Sequence, residues 1–416
     1  MLIKRKNIFI KPDQKRVLLL PFKLNNKKRI NRIVKYVFDL SGQEIESTVE
    51  KVIKEFGDRH RDFIKKCSAR YDEIKKFIEM DKKVNDNSKI LIGSYFLKEY
   101  SVESAALFNP SIVWHPDQSG LDAGKRRFIL SLRAAGEGHI SSIVFRTGII
   151  DSDCNITLEE QNKYVTAPGK VSVNGADYTV IFDADTDISE RIIFPLTPDE
   201  SNGIEDARFA GFTSANENSY CAAYTAYDGN NITSKLIQTN DFTKFKVRTL
   251  IGSESKNKGM ALFPKKINDK YAMLSRQDNE NLYVMYSENI YSWNSKKLLH
   301  NPEFSWEMVQ IGSCGSPIET EEGWLVIIHG VGPLRKYAIS AILLDPEDPT
   351  KVIGKLKQPL LEPNDEEREG YVPNVVYSCG GIIHNSKLIL PYAVSDYTTS
   401  FAVIDMKELL NELIKK

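Results

Sequence analysis

The sequence lacks several features that would place it in a specialised class of protein. Its 56 Lys and Arg residues balance 56 Asp and Glu residues among 416, whereas a general nucleic-acid binder needs an excess of basic residues. Apolar runs such as residues 17–20 fall far short of the roughly 20 residues of a membrane helix. Residues 1–11 are basic but contain no apolar core of a secretory signal. We therefore expect a cytoplasmic protein without nucleic-acid or membrane partners.

Cysteine is also scarce. The five cysteines lie far apart, and no pair has the C-x-x-C spacing of a zinc or redox motif. This pattern is typical of reduced, buried thiols. The sequence therefore predicts neither disulfides nor a metal site.

The first part of the chain has helical periodicity. Apolar residues recur at helical spacing in residues 28–40, 44–56 and 59–80. We expect residues 1–88 to form an N-terminal α-helical extension and residues 89–416 a catalytic domain. Two interpretations of these helices remain open. In the first they have a function, as an arm for homo-oligomer formation or as a lid over a site; in the second they are a passive appendage packed on the main domain.

The second part of the chain contains a repeat typical of an all-β domain. In each copy a polar turn precedes an apolar strand, and the copies are residues 126–133, 218–225, 269–276, 322–329 and 386–393. Apart from a longer first gap, which suggests an insertion near residues 151–202, the spacing is roughly 50–65 residues, as in propeller blades. The sequence thus predicts a five-bladed β-propeller. A long sandwich or two β domains would give a similar density of strands.

Three copies of the repeat end on a strong polar group at the same position, namely Arg133, Arg276 and His329. Equivalent positions of a radial repeat converge on one axis, so these side chains would line a central funnel. Buried charges without partners are costly, and this ring therefore indicates an anionic or polyhydroxylated ligand. Alternatively, each charge forms a salt bridge within its own blade.

Residues 203–209 place Glu205, Asp206 and Arg208 close together. Side chains alternate along a strand, so only one of the two acids is expected to face a pocket. Asp206 and Arg208 share a face and would either pair or jointly line the cavity.

Six motifs occur in an order that resembles glycoside hydrolase family 130, the β-mannoside phosphorylases and β-mannosidases. They are residues 108–111, 203–208, 261–267, 317–331, 343–345 and 371–375, and together they extend over residues 105–405. The resemblance implies a five-bladed propeller with its active site in the central funnel. It also implies cleavage of β-mannosidic bonds, with β-1,2 linkages the expected substrate, and inversion at the anomeric carbon.

The resemblance also implies roles for individual residues. Asp206 matches the catalytic acid, which is thought to pass its proton through a sugar hydroxyl. Asn109, Arg133 and Asp396 match residues that hold the mannosyl ring. We add Arg208, Arg276 and Tyr371 as further contacts to the oligosaccharide, Tyr371 because it precedes a loop proline.

Phosphorylases of the family also bind phosphate through a cationic cluster, and here the chain departs from the pattern. His329 is kept, an expected Arg stands as Lys258, and an expected Lys stands as Gln310. A further expected Arg is not evident, and Glu137 lies in that region. Fewer cations weaken phosphate binding, and a nearby acid would repel the anion.

A water nucleophile instead needs a carboxylate base at roughly 6.5–9.5 Å from the acid. Glu137 and Glu319 are the candidate bases. We therefore favour inverting hydrolysis, with phosphorolysis through Lys258, Gln310 and His329 as the alternative. Only phosphorolysis would need inorganic phosphate as co-substrate, and we expect no other cofactor. A non-catalytic glycan-binding propeller is a second alternative, since fold alone does not determine function.

Overall fold

The computed structural model describes residues 3–78, 84–213 and 218–414. The chain is mostly β with some helices, as the sequence predicted. The first strands are β1 (Ile3–Ile10), β2 (Val17–Pro21), β3 (Leu97–Ser101), β4 (Ala106–Trp114), β5 (Arg126–Ala135), β6 (Ser141–Ile150), β7 (Ile156–Leu158), β8 (Lys170–Asn174), β9 (Asp177–Ile181), β10 (Ile192–Ile193), β11 (Gly203–Thr213), β12 (Asn218–Tyr227), β13 (Ile232–Thr239) and β14 (Lys244–Thr249). The later strands are β15 (Ala261–Leu262), β16 (Tyr271–Ser275), β17 (Leu282–Ser287), β18 (Lys297–His300), β19 (Gln310–Ser313), β20 (Ile318–Thr320), β21 (Gly323–Val331), β22 (Tyr337–Leu344), β23 (Val352–Lys355), β24 (Val376–Tyr377), β25 (Ile382–His384), β26 (Lys387–Val394) and β27 (Thr398–Asp405). The α-helices are α1 (Lys27–Asp39), α2 (Gly42–Phe56), α3 (Phe63–Ile74), α4 (Asp86–Ser94) and α5 (Met406–Ile414).

The chain forms two compact units. Unit 1 comprises residues 1–13, 103–161 and 167–416, and unit 2 comprises residues 14–102 and 162–166. These boundaries differ from the expected division at residues 88 and 89, because β1 pairs with β27 in unit 1 and β2 pairs with β3 in unit 2. The expected division remains a prediction about domains, since a compact unit is not thereby shown to fold alone.

Unit 2 is helical, with one small two-stranded sheet. Its helices begin where side chains satisfy free backbone N–H groups: Asn26 accepts two of them at α1, and Ser41 with Glu44 forms a capping box at α2. The third predicted helix ends at Met80, which lies outside the described residues. In the described ranges no helix combines the length and apolarity needed to cross a membrane.

Unit 1 contains four sheets in the described part of the chain. The largest runs β4-β5-β6-β11-β12-β13-β14-β9-β8, with β7 and β10 added at β6. Its β6 and β11 are linked only by the parallel pair Gly203–Ser141, so it divides into two antiparallel groups. The other sheets are β15 to β18, β19 to β23, and β24 to β27 closed by β1.

The five repeated segments occupy equivalent places in these groups. They coincide with β5, β12, β16, β21 and β26, and each is the strand that follows the first strand of its group. Side chains of neighbouring groups pack together in shared hydrophobic clusters, for example the cluster that includes Phe263, Trp324 and Leu344. The longer first gap holds β7 to β10, in agreement with an insertion there.

The first strands of the five groups run in the same direction between two cavities. Their upstream ends line a cavity of about 120 Å³, called the site cavity, through Asn109, Asp206, Lys258, Gln310 and Tyr377. Their downstream ends, or the segments that follow them, line a second cavity of about 650 Å³, called the far cavity, through Trp114, Thr213, Pro264, Glu319 and Ile383. Residues from all five strand groups therefore line both cavities.

Candidate active site

The site cavity brings together eight of the twelve residues that the sequence singled out. On one side lie Asn109, Arg133, Asp206 and Asp396. On the other lie Lys258, Arg276, Gln310 and His329. The three polar groups that end the repeated strands thus meet at one cavity, although the chemical role of each remains a prediction.

Two matching irregularities aim Asn109 and Asp206 into the site cavity. The pairing of β4 with β5 shifts between Phe108 and Ser111, and that of β11 with β12 shifts between Glu205 and Arg208. Asn109 and Asp206 have φ angles of 49° and 54°, in the left-handed region that costs a residue with a side chain about 1–2 kcal/mol. Such bulges redirect a side chain out of the normal alternation.

The carboxylate of Asp206 is held in a dense polar network. Its Oδ1 accepts a hydrogen bond from Asn109 Nδ2 at 2.7 Å and lies 3.4 Å from Arg133 Nη1. Arg133 Nη2 also donates to Glu205 at 2.8 Å, so both neighbouring acids reach the same guanidinium despite the alternation expected of a regular strand. Burial raises the pKa of Asp206, but Arg133 and Arg208 outweigh it and hold the pKa below 3.8.

Asp396 has the opposite behaviour. It lies in the turn between β26 and β27 with φ 49°. Burial, together with the negative charge of Asp206, raises the pKa of Asp396 from 3.8 to about 6. Two carboxylates of one cavity therefore differ in proton affinity, and in the free protein Asp396 is the one that takes up a proton first as the pH falls.

Arg276 lies at the other side of the cavity and is held by neutral groups. Its Nη1 lies 3.3 Å from His329 Nε2, and the Gln310 amide oxygen, when turned toward it, accepts at 2.6 Å. Burial and the adjacent Arg276 and Arg208 hold the pKa of His329 well below 6.5. His329 is therefore neutral near pH 7 and offers a hydrogen bond rather than a positive charge.

Arg208 lies beside the cavity rather than in its lining. The guanidinium is buried; its Nη1 donates to the backbone oxygen of Asp206 at 3.2 Å, and its Nη2 donates to the hydroxyl of Tyr377 at 2.6 Å. Arg208 thus supports the strand that carries Asp206. The sequence left two alternatives open, a pair of side chains or a joint lining of the cavity, and the structure shows this backbone contact instead.

The structure does not bring the two candidate bases to the site cavity. Glu319 lines the far cavity, is about half exposed and pairs with Lys265 at 2.5 Å. Glu137 is exposed in a short 3₁₀ turn, Glu137–His139, and is not part of the lining. Tyr371 is 51% exposed, with its hydroxyl 3.1 Å from His139 Nδ1, and it too lies outside the lining.

Four further residues of the lining had no assigned role in the sequence analysis, namely Arg335, Tyr337, Val375 and Tyr377. The rings of Tyr337 and Tyr377 pack on His329, with centroids 5.8 and 4.9 Å away. A signal for Arg335 was present in the sequence, since it follows the motif at residues 317–331 within a Gly-Pro turn. The adjacent Lys336 has the same charge, and the sequence alone does not distinguish the two.

A site for a metal ion is not evident in residues 3–78, 84–213 and 218–414. No three His, Cys, Asp or Glu side chains come together there as metal ligands would. The expectation of a metal-free protein remains a prediction.

The sequence of residues 82–415 matches the family model of glycoside hydrolase family 130, whose description is β-1,4-mannooligosaccharide phosphorylase. The chain belongs to glycoside hydrolase family 130. The membership expected from the six motifs is thereby confirmed, and with it the expectation of an enzyme of this family.

Characterised relatives of this family 130 protein are named as phosphorylases. It is 30% identical over 320 residues to the β-1,2-mannobiose phosphorylase of Thermoanaerobacter sp. strain X514, covering 75% of this chain and 94% of the relative. It is 39% identical over 155 residues to the 1,2-β-oligomannan phosphorylase of the same strain, covering 37% of this chain. That second match spans only about half, 52%, of the relative.

Solved structures have the same fold. A complex of the β-1,2-mannobiose phosphorylase of Listeria innocua with β-1,2-mannobiose superposes with a TM-score of 0.54 at 22% identity, covering 76% of this chain and 93% of that one. At this identity the likeness supports the fold alone.

Proposed function

We propose that this family 130 protein is an inverting β-mannoside phosphorylase that acts on β-1,2-linked manno-oligosaccharides. One observation carries the proposal: the site cavity has an excess of positive charge. Its lining contains four cations, Arg133, Lys258, Arg276 and Arg335, but only two carboxylates. Even when Glu205 is counted, which pairs with Arg133 beside the lining, one positive charge remains in excess, and this favours phosphate, which carries between one and two negative charges near neutral pH.

Arg276 is the strongest single indication of an anion. The residue is only 6% exposed, and its Nε has no hydrogen-bond partner. Among the described residues, no acidic side chain forms an ion pair with it. A buried guanidinium with neutral neighbours is costly, and a phosphate oxygen would satisfy it by a charge-assisted hydrogen bond.

Hydrolysis needs a free carboxylate base, and the cavity supplies none beyond its two aspartates. Glu205 is the nearest further acid, but it is bound to Arg133 at 2.8 Å and lies 3.8 Å from Lys258. Glu137 and Glu319 lie elsewhere. The names of the relatives also favour phosphorolysis. These points replace our preference for hydrolysis, which rested on the loss of a Lys at Gln310, on a further Arg that is not evident, and on Glu137 and Glu319 as candidate bases.

The reaction follows from this arrangement. A phosphate oxygen attacks the anomeric carbon on the face opposite the glycosidic oxygen, the bond to that oxygen breaks, and the leaving sugar takes a proton that comes from Asp206. The products are mannose 1-phosphate of inverted configuration and a shortened oligosaccharide. Asn109, Arg133 and Asp396 would hold the mannosyl ring, because vicinal hydroxyls accept and donate to such groups.

The ionisation state of Asp206 is expected to change when phosphate binds. In the free protein, its cationic neighbours keep it ionised, yet an acid must carry a proton. Phosphate brings negative charge to the cavity and competes for the cations, and both effects raise the pKa of a nearby carboxyl. We therefore expect phosphate binding to be accompanied by proton uptake.

We also propose that the five strand groups are the blades of a five-bladed β-propeller. The common direction of the first strands and the cavities at both of their ends support this arrangement. Pairing of β1 with β27 would close the last blade. The cytoplasmic location and a homo-oligomer through the N-terminal helices remain predictions.

The deciding experiment is incubation with β-1,2-mannobiose in the presence and absence of inorganic phosphate. We expect mannose 1-phosphate, seen by ³¹P NMR, only when phosphate is present. Free mannose formed at equal rates in both conditions would instead show hydrolysis. Binding of mannobiose without turnover in either condition would show a glycan-binding protein.

Variants of the two acids make the assay specific. Asp206→Asn should abolish turnover while mannobiose still binds. Glu319→Gln is a matched control, since that side chain lies at the far cavity, and it should retain turnover. Full activity of Asp206→Asn would remove this residue from the mechanism.

A further inference from the structure

The turn between β21 and β22 has unusual backbone geometry at the mouth of the site cavity. In its 3₁₀ turn, Pro333–Arg335, the residues Leu334 and Arg335 have φ angles of 56° and 57°. Consecutive left-handed residues that both carry side chains are costly, and such strain persists only where the surrounding structure enforces it. Backbone bonds between Gly332 and Lys336 at 3.0 Å and between Lys336 and Pro333 at 3.2 Å hold the turn closed.

The strained turn sends two adjacent cations to different surroundings. Lys336 pairs with Glu362 at 2.6 Å. Arg335 joins the lining of the site cavity, with its guanidinium carbon 5.8 Å from the ring centroid of Tyr337. Its charge also acts on the carboxyl of Asp396, whose pKa it lowers. In the described part of the chain, no acidic side chain forms an ion pair with Arg335.

Gln310 shows why an additional cation matters in this chain. The phosphorylase pattern that the sequence resembles has a Lys at this position. With its oxygen toward Arg276, the Gln310 amide accepts at 2.6 Å and its nitrogen donates to the backbone oxygen of Asn279 at 3.3 Å. Gln310 therefore orients a cation but supplies no charge of its own.

Resting on the phosphorolysis proposed above, we propose that Arg335 is a phosphate ligand that replaces the positive charge missing at Gln310, from the turn that follows the neighbouring strand β21. A guanidinium suits this task because two of its N–H groups can engage two phosphate oxygens at once. Arg335 lies on an exposed turn, whereas Arg276 is fixed by His329 and Gln310. Phosphate is thus bound between one buried and one solvent-side arginine.

The test compares steady-state phosphorolysis of β-1,2-mannobiose by the wild type, Arg335→Gln and Lys336→Gln. We expect the KM for phosphate to rise about 10–100-fold in Arg335→Gln, which corresponds to the loss of one charge-assisted hydrogen bond or pair of bonds. The KM for mannobiose should change less than about threefold. Lys336→Gln, the adjacent control, should leave both constants unchanged.

A second variant separates loss of charge from damage to the turn. Gln310→Lys combined with Arg335→Gln returns a cation to the cavity at the start of the neighbouring strand β19, and it should recover at least about a tenth of the lost phosphate affinity. A merely structural role of Arg335 predicts no recovery. Arg335→Lys keeps charge without the planar fork, and we expect an intermediate KM for phosphate.

The possible failures are distinct. If the wild type forms no mannose 1-phosphate, the proposed function fails. If the wild type is a phosphorylase but Arg335→Gln keeps its KM for phosphate, only the role of Arg335 is overturned. Equal increases in both KM values, with no recovery by Gln310→Lys, would assign Arg335 to the sugar instead.

Discussion

The two aspartates of the site cavity should have opposite effects on stability, and this can be measured without substrate. The pKa of Asp396 is raised from 3.8 to about 6 by burial and by Asp206. The folded state therefore holds this proton more tightly than the unfolded chain, so the folded state loses stability as the pH rises from about 4 to about 6. Above that range the full cost is present, at most about 3 kcal/mol from a shift of about two pKa units.

Asp396→Asn removes this cost. The expected gain in unfolding free energy is about 1 kcal/mol at pH 4.5, where the native carboxyl is still protonated, and about 3 kcal/mol at pH 7.5. For a folded unit of roughly 300 residues, 1 kcal/mol moves Tm by roughly 1.5 °C. The variant should therefore melt roughly 1–2 °C above the wild type at pH 4.5 and roughly 4 °C above it at pH 7.5.

Asp206→Asn provides a control of opposite sign. The pKa of Asp206 is lowered by its neighbouring cations, so its charge stabilises the folded state above the unfolded pKa, and this stabilisation is lost as the pH falls. The variant should melt below the wild type at pH 7.5. The assay is thermal unfolding followed by circular dichroism from pH 4.5 to 7.5. A Tm of Asp396→Asn at or below that of the wild type at pH 7.5 would refute the argument.

Three further outcomes are expected. Gly312→Ala should raise the KM for phosphate at least about tenfold, because the new Cβ would lie 2.6 Å from His329 Cε1; an unchanged KM in initial-rate assays would contradict this packing. Lys235→Met should lower the unfolding free energy by about 3–5 kcal/mol, because it removes the ammonium group that lies 3.1 Å from the buried Glu200 carboxylate. Chemical denaturation measures this loss, and the double variant with Glu200→Gln should recover part of it. Asn109→Ala removes a 2.7 Å hydrogen bond that stabilises the charged form of Asp206, the proposed general acid, so the pKa of Asp206 should rise and the basic limb of the pH–rate profile should move to higher pH; an unshifted basic limb would argue against that contact.

The periodic parts of the fold were predictable from the sequence. Each repeated segment has alternating or continuous apolar residues next to a polar turn, and that signal is strong because the strands are buried between neighbouring sheets. The helices α1 and α2 were predictable for a similar reason, since each has one apolar stripe. By contrast, α4 was not predicted. Residues 90–93 are all buried, so this segment has no polar face and its sequence lacks the alternation of apolar and polar residues that marks a helix.

The site was predictable where it follows the repeat and not where it departs from regular structure. Arg133, Arg276 and His329 occupy the same position in three copies of the repeat. This equal spacing predicted that their side chains meet at one cavity. The shared contact of Glu205 and Asp206 with one arginine depends on a bulge, which breaks the alternation used to separate them. The place of Arg335 in the cavity lining depends on a turn with left-handed backbone at Leu334 and Arg335. In the sequence, this turn has the composition of an ordinary loop.

The pairing of β1 with β27 has a consequence for biosynthesis. Ile10 accepts a hydrogen bond from Thr398, a residue 388 positions later, so β1 can pair with β27 only after the long intervening chain has been synthesised. Before that point the eight residues of β1 lack their partner strand, and their backbone hydrogen-bonding groups stay unpaired with β27. Contacts between residues this distant in sequence form slowly. We expect late, post-translational closure of the last sheet, and an affinity tag or truncation at β1 should therefore affect the yield of folded enzyme more than its catalytic constants.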